Sequence, residues 1–172
     1  MSRHTSPASH DAQRGFTLIE VLIVVALIGV IASIAIPSLM TARASANEAS
    51  AIGSTRTAAS GQSAFAATCG AGFYAVDNTH LVTAGFAGAD FALPVKHGFA
   101  MTLTVGDLGV FGELDCNGDN TVTDYYFSAT PTSPRQGRRA FATDENSSIW
   151  VDMAGVAPVE PFVEAGTVVP LR

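Results

Sequence analysis

The chain has 172 residues, 48% of them apolar, and a formal net charge of −6. That is about one domain's worth of chain, and part of its apolar share is concentrated near the start. No run of Lys or Arg occurs and Lys96 is the one lysine, which excludes the basic footprint of a nucleic-acid binder.

Residues 1–15 are polar, carry Arg3, His4, His10 and Arg14, and show no apolar periodicity. From Phe16 to Ile36 the chain then stays apolar for about 21 residues, long enough as a helix to cross a ~30 Å hydrocarbon layer. Its polar interruptions are Thr17, Ser33 and a full carboxylate, Glu20. Within a bilayer such a group costs roughly 2.5–3.5 kcal/mol at a helix centre, somewhat less near the interface. A cleaved export signal with Ser33-Ile34-Ala35 as its site, or a plain signal anchor, would account for the apolar run. The run is long for an ordinary signal core, and neither reading accounts for Glu20. Arg3 and Arg14 on the leading side favour a cytoplasmic N-terminus and an exported C-terminal part.

Gly15-Phe16-Thr17-Leu18-Ile19-Glu20, preceded by Arg14 and followed by an apolar helix closed by Pro37, resembles the class III prepilin signature of type IV pilins and type II secretion pseudopilins. The resemblance covers residues 14–40 closely and the remainder only in general architecture. It implies cleavage between Gly15 and Phe16 by a prepilin peptidase, with N-methylation of Phe16. It also implies that Glu20 pairs with the Phe16 amine of a neighbouring subunit. The implied life cycle is a single-pass inner-membrane precursor with an exported C-terminus. An assembly platform then draws that precursor into a homopolymer, with other pilins, as a surface or periplasm-spanning filament. The chemistry agrees, because a carboxylate in an apolar bundle needs a positive partner. A pilus subunit is the first reading and a type II secretion or competence pseudopilin the second. An anchored or exported calcium-binding module is a third, of a different class.

The domain plan is a leader over residues 1–15, a membrane and filament-core helix over 16–37, and a pilin-like globular domain over 38–172. Gly29 and Pro37 are weak points of the helix, since proline removes a hydrogen bond and crowds the preceding turn. Either a bend or local melting can follow, and the resemblance implies unwinding in assembled filaments. An amphipathic continuation is predicted over residues 38–68, with Leu39, Ala42, Ala46, Ala49, Ile52, Ala59 and Phe65 as the packing stripe. Arg43, Asn47, Glu48, Ser54 and Arg56 interrupt it.

Residues 69–98 read as a connection, 99–153 as an antiparallel sheet and 154–172 as a coil covering its edge. Phe99–Val105 alternates as a half-buried strand does, and Tyr125–Ala129, Arg138–Thr143 and Ser148–Val151 are further short strands. Pro158, Pro161 and Pro170 mark the coil. The fold class is α+β: a long N-terminal helix, apolar then amphipathic, packed on a small antiparallel sheet. Cys69 and Cys116, without CxxC spacing, are either one disulfide of an exported domain or two buried thiols. A bridge would close a loop of about 48 residues, worth ~4 kcal/mol in the chain-entropy account.

No GxSxG, HExxH or phosphate-binding glycine loop occurs, and His80 and His97 stand alone, so an enzyme is not expected. Asp115, Asn117 and Asp119 alternate like the first ligands of a calcium loop, with Asp124 a substitute for the last. Glycine falls at the fourth place instead of the sixth, and Tyr126 occupies the twelfth. From Lys96 to Arg135 no cation intervenes among Asp107, Glu113 and these carboxylates, which a hard ion would relieve. Ca2+ is therefore the one cofactor to consider, against a solvated acidic turn. Arg135, Arg138 and Arg139 form a basic cluster, either solvated or facing the acidic loop of a neighbour.

Overall fold

The structure, a computed structural model, describes residues 15–171. The leader with Arg3, His4, His10 and Arg14 lies outside the described residues. The chain divides into one unit ending at Leu39 and a second beginning at Met40.

The first unit is the leading part of helix α1 (Leu18–Thr68). Thr17 Oγ1 accepts the Glu20 amide at 3.3 Å, the bond by which an N-cap residue satisfies an orphan donor of the first turn. Glu20 thus stands where the helix dipole favours a negative charge. From Phe16 to Ile36 the large apolar side chains are exposed, and α1 is the one described helix whose length and composition suffice to cross a membrane. The helix continues through Gly29 and Pro37, with Ser33 Oγ bonded to the Val30 carbonyl at 2.7 Å. The single chain is therefore not melted over the stretch where a bend or local melting was expected.

In the second unit α1 meets a core of aromatic and aliphatic residues. Its buried positions, Glu48, Ala51, Ser54, Thr55, Ala58, Ala59, Gly61, Gln62 and Phe65, recur at helical spacing. This corrects the expected stripe: Leu39, Ala42, Ala46 and Ala49 are exposed, and only Ala59 and Phe65 of that set are fully buried. The buried side is one of small and hydrogen-bonding residues. Gln62, wholly buried, shows why: its amide donates to the Ala75 carbonyl and accepts the Ala75 amide, both at 2.9 Å. Both polar ends of the side chain are satisfied, so it packs like an apolar residue.

Six strands form the main antiparallel sheet: β2 (Val95–Lys96), β3 (Phe99–Val105), β6 (Tyr125–Pro131), β7 (Ala140–Thr143), β8 (Trp150–Asp152) and β9 (Val168–Pro170), in that spatial order. Phe99, Met101 and Leu103 point into the core from β3, and Tyr125, Phe127 and Ala129 from β6. All four residues of β7 are buried. Phe141 of β7 joins the core, and Tyr126 of β6 holds the C-terminal segment by donating to the Pro158 carbonyl at 2.6 Å. The expected coil is thus only partly a coil, because β9 extends the sheet and puts Pro170 on its edge strand.

A second, three-stranded sheet, absent from the sequence reading, orders β1 (Tyr74–Ala75), β5 (Asn120–Val122) and β4 (Phe111–Leu114). Within the expected connection over 69–98 lie β1, β2, a short helix α2 (Asn78–Thr83) and a 3-10 turn at Ala89–Ala92. Asp77 caps α2 through the His80 amide at 2.8 Å. Phe65, Phe91, Phe99, Phe127 and Phe141 fill the core, with the Phe91 and Phe127 rings stacked at 5.4 Å.

Candidate functional site

Gly15 and Phe16 precede the first turn of α1, and Phe16 is 84% exposed. Glu20 is exposed on that turn, so both partners of the expected pairing are open to another chain. The side chains that follow form an uncovered aliphatic surface, suited to lipid or to other such helices.

In the second unit the carboxylates separate into distinct arrangements. Asp115, Asn117 and Asp119 share the β4–β5 hairpin turn, where the Asp115 amide bonds to the Asp119 carbonyl at 2.9 Å and Gly118 takes φ +87°. Asp115 Oδ1 accepts the Asn117 and Asp119 amides at 2.8 and 2.9 Å, and Oδ2 lies 3.0 Å from Nε2 of the buried His80. The Val76 amide donates to His80 Nδ1 at 3.4 Å, which leaves Nε2 as the protonated nitrogen facing Asp115. Desolvation raises the Asp115 pKa, but the His80 bond and the two amides outweigh it and hold the carboxyl at about 2. Both Asp115 oxygens thus accept hydrogen bonds within the protein, while His80, Asp115 and Asp119 each bring a ligand atom within 4.8 Å of the others. His80, read in sequence as isolated, packs its ring edge-on to Phe65 at 5.1 Å.

Cys69 and Cys116 form a disulfide, tying the end of α1 to this same turn. The wholly reduced alternative is thereby removed.

Asp124 stands elsewhere. Its carboxylate lies with those of Glu145 and Glu160, ligand atoms mutually within 4.8 Å, in a cleft that Asp107 and Asp144 also line. No basic residue lines the cleft among the described residues, whereas Trp150 and Phe162, ring centroids 5.6 Å apart, do. Asp124 Oδ1 is buried and without a hydrogen-bond partner. Desolvation and the adjoining Asp124 and Asp144 carboxylates raise Glu145 to about 7, and Glu160 is raised by burial and the same neighbours. Donor chemistry and the mutual repulsion of these carboxylates make this cleft fit for a cationic group.

A third arrangement was not legible in sequence. Glu48, read there as a solvent-side interruption, is only 8% exposed. Its Oε1 accepts the Arg138 and Arg139 amides at 2.7 and 3.2 Å, and its Oε2 accepts Arg139 Nε and Nη2 at 2.8 and 2.7 Å. Burial raises the Glu48 pKa, but these donors outweigh it and lower it on balance. Asn47 adds bonds to the Gln136 carbonyl and side chain at 3.0 and 2.9 Å. Gly137 permits the approach, since a Cβ there would sit 2.5 Å from the Phe99 ring and 3.2 Å from Glu48. Of the basic cluster, Arg139 is therefore paired within the chain, while Arg135 and Arg138 are exposed and without an ion pair among the described residues.

The profile of the prokaryotic N-terminal methylation motif matches residues 11–36. The type II secretion system core protein G of Escherichia coli (strain K12) is 45% identical over 42 residues, which are 24% of this chain and 29% of that protein. The chain thus matches under a third of the length of that relative. No solved structure matches the chain. Beyond this pilin-type segment, the α+β arrangement of a long helix with antiparallel sheets is consistent with a pilin-like fold.

Proposed function

We propose that the chain is a structural subunit of a type IV pilus-like filament. A prepilin peptidase cuts it at Gly15–Phe16, Phe16 is methylated, and the N-terminal helix polymerises it. The observation that carries this reading is the conjunction of Gly15, Phe16 and Glu20 with an uncovered aliphatic helix. Before assembly the helix is solvated by lipid in the inner membrane, with the second unit exported. On extraction by an assembly platform, the aliphatic faces of neighbouring copies replace the lipid. Each Glu20 then requires a positive partner, and a freshly exposed Phe16 amine of an adjoining copy supplies it. Unwinding between Gly29 and Pro37 belongs to that assembled state in this proposal. The role needs no cofactor and no catalytic group.

The mass and N-terminal residue of the mature chain test the processing: methylated Phe16 is expected, and an N-terminus at Ile36 or an intact Met1 refutes it. Glu20→Val is expected to stay in the membrane while sheared filaments lose the chain. Unchanged incorporation would refute the pairing role. The similarity to a type II secretion protein favours a second reading, a periplasm-spanning pseudopilus. Long sheared surface filaments containing this chain distinguish the first from the second.

A further inference from the structure

The soluble unit is electrically polar along its β6–β7 hairpin. β6 and β7 pair antiparallel through Phe127↔Thr143, Ser128↔Ala142 and Ala129↔Phe141. Asp124 precedes β6 while Asp144 and Glu145 follow β7, so the carboxylates gather at one end of the hairpin. Arg135 and Arg138 lie in the connection at its other end, about 20 Å away for a seven-residue strand. The same two ends can be located on α1. The basic end is bonded to Asn47 and Glu48, whereas at the acidic end Tyr125 meets Tyr74, five residues beyond the disulfide-bonded Cys69. The polarity therefore runs along residues 47–68 of the helix.

We infer that the Arg135–Arg138 loop of one copy docks into the Asp124–Glu145–Glu160 cleft of a second copy stacked along that helix direction. The contact rests on the filament reading proposed above and specifies how its soluble units meet. The occupant is a guanidinium for chemical reasons. Three carboxylates offer paired acceptors, Asp124 Oδ1 is buried without a partner, and Trp150 and Phe162 supply flat apolar walls. A planar, weakly hydrated cation that bonds carboxylates in pairs and stacks on aromatic rings meets all three requirements. A head-to-tail contact uses different surfaces on the two partners, and where its rotation does not close into a ring it builds an open helical polymer. Charge complementarity also fixes which end of a copy meets the next.

Full-length chain with Arg135→Glu and Arg138→Glu, expressed in place of the parent, is expected to lower sheared filament at least tenfold with its processed membrane pool unchanged. Adding Glu145→Arg and Glu160→Arg to the same chain restores the complementarity in reverse and should return the yield to within about threefold of the parent. Filament yield indifferent to the arginine reversal overturns the contact while leaving the filament reading intact, provided Glu20→Val still abolishes assembly. Yield that collapses on calcium chelation yet ignores the arginine reversal assigns the cleft to a divalent ion and likewise overturns it. A parent chain that never polymerises removes both.

Discussion

Glu48 is the residue whose replacement should disturb the soluble unit most for its size. Its carboxylate takes two backbone amides and a two-pronged Arg139 guanidinium from a nearly buried position. Glu48→Ala leaves the Arg138 and Arg139 amides without their acceptor and removes the anchor of Arg139. Hydrogen bonds to charged groups are worth ~1.5–3 kcal/mol, and an unpaired buried donor costs about as much again in lost solvation. Arg139, with its side chain 37% exposed, can turn to water and recovers part of its loss. The expected penalty is therefore about 3 kcal/mol for Glu48→Ala and about 1 kcal/mol for Arg139→Ala, with Glu48→Gln between them because it keeps an acceptor for the amides. Denaturant unfolding of the detergent-solubilised chain, followed through the near-ultraviolet signal of Trp150, measures all three. A Glu48→Ala penalty below about 1 kcal/mol, or one no larger than that of Arg139→Ala, would refute the view that the amides carry most of the attachment.

Replacing both Cys69 and Cys116 by alanine should destabilise the unit by up to ~4 kcal/mol, the loop-closure value for this separation, and a loss under about 1 kcal/mol would contradict it. Stability should also depend on pH in two opposed ways. Asp115, held at about 2, contributes stability that is present above its ordinary 3.8 and lost as pH falls toward 2. Glu145, raised from 4.5 to about 7, favours the fold while protonated, so that contribution is lost as pH rises from about 4.5 through 7. Thermal melts should accordingly peak near pH 4–5 and decline toward pH 8. Glu145→Gln should flatten the upper limb; an unaltered decline would exclude Glu145 as its source.

The parts of the molecule that sequence made legible are those whose cause is local. The prepilin-type junction, the apolar run and the alternation of Phe99, Met101 and Leu103 each carry their period or motif within a few residues. What escaped has partners far along the chain. Glu48 looks like a solvent-facing interruption until Arg139, 91 residues away, is brought to it, and Gln62 gives no local sign of its pairing with Ala75, 13 residues on. The helix stripe was accordingly phased on larger apolar residues, and its small and polar buried side was missed. The Asp115–Asp119 segment is ambiguous for another reason. Aspartate, asparagine and glycine serve both hairpin turns and calcium loops, so their spacing alone does not separate the two. Glycine at the fourth place and the Asn117-Gly118 pair were the available turn signal. Asp124, Glu145 and Glu160 converge from three separate loops and have no common spacing to read. β9 follows a proline-marked tail without alternation, so nothing local announced it.

The covalent tie at Cys69–Cys116 and the Glu48–Arg139 attachment hold opposite ends of the same buried stretch of α1. Tension applied along that helix consequently meets both fastenings and the packed surface between them at once, as a shear. Peeling would open them one by one; sliding must break them together. In the filament proposed above, a copy pulled lengthwise would be in this respect a rivet set at both ends.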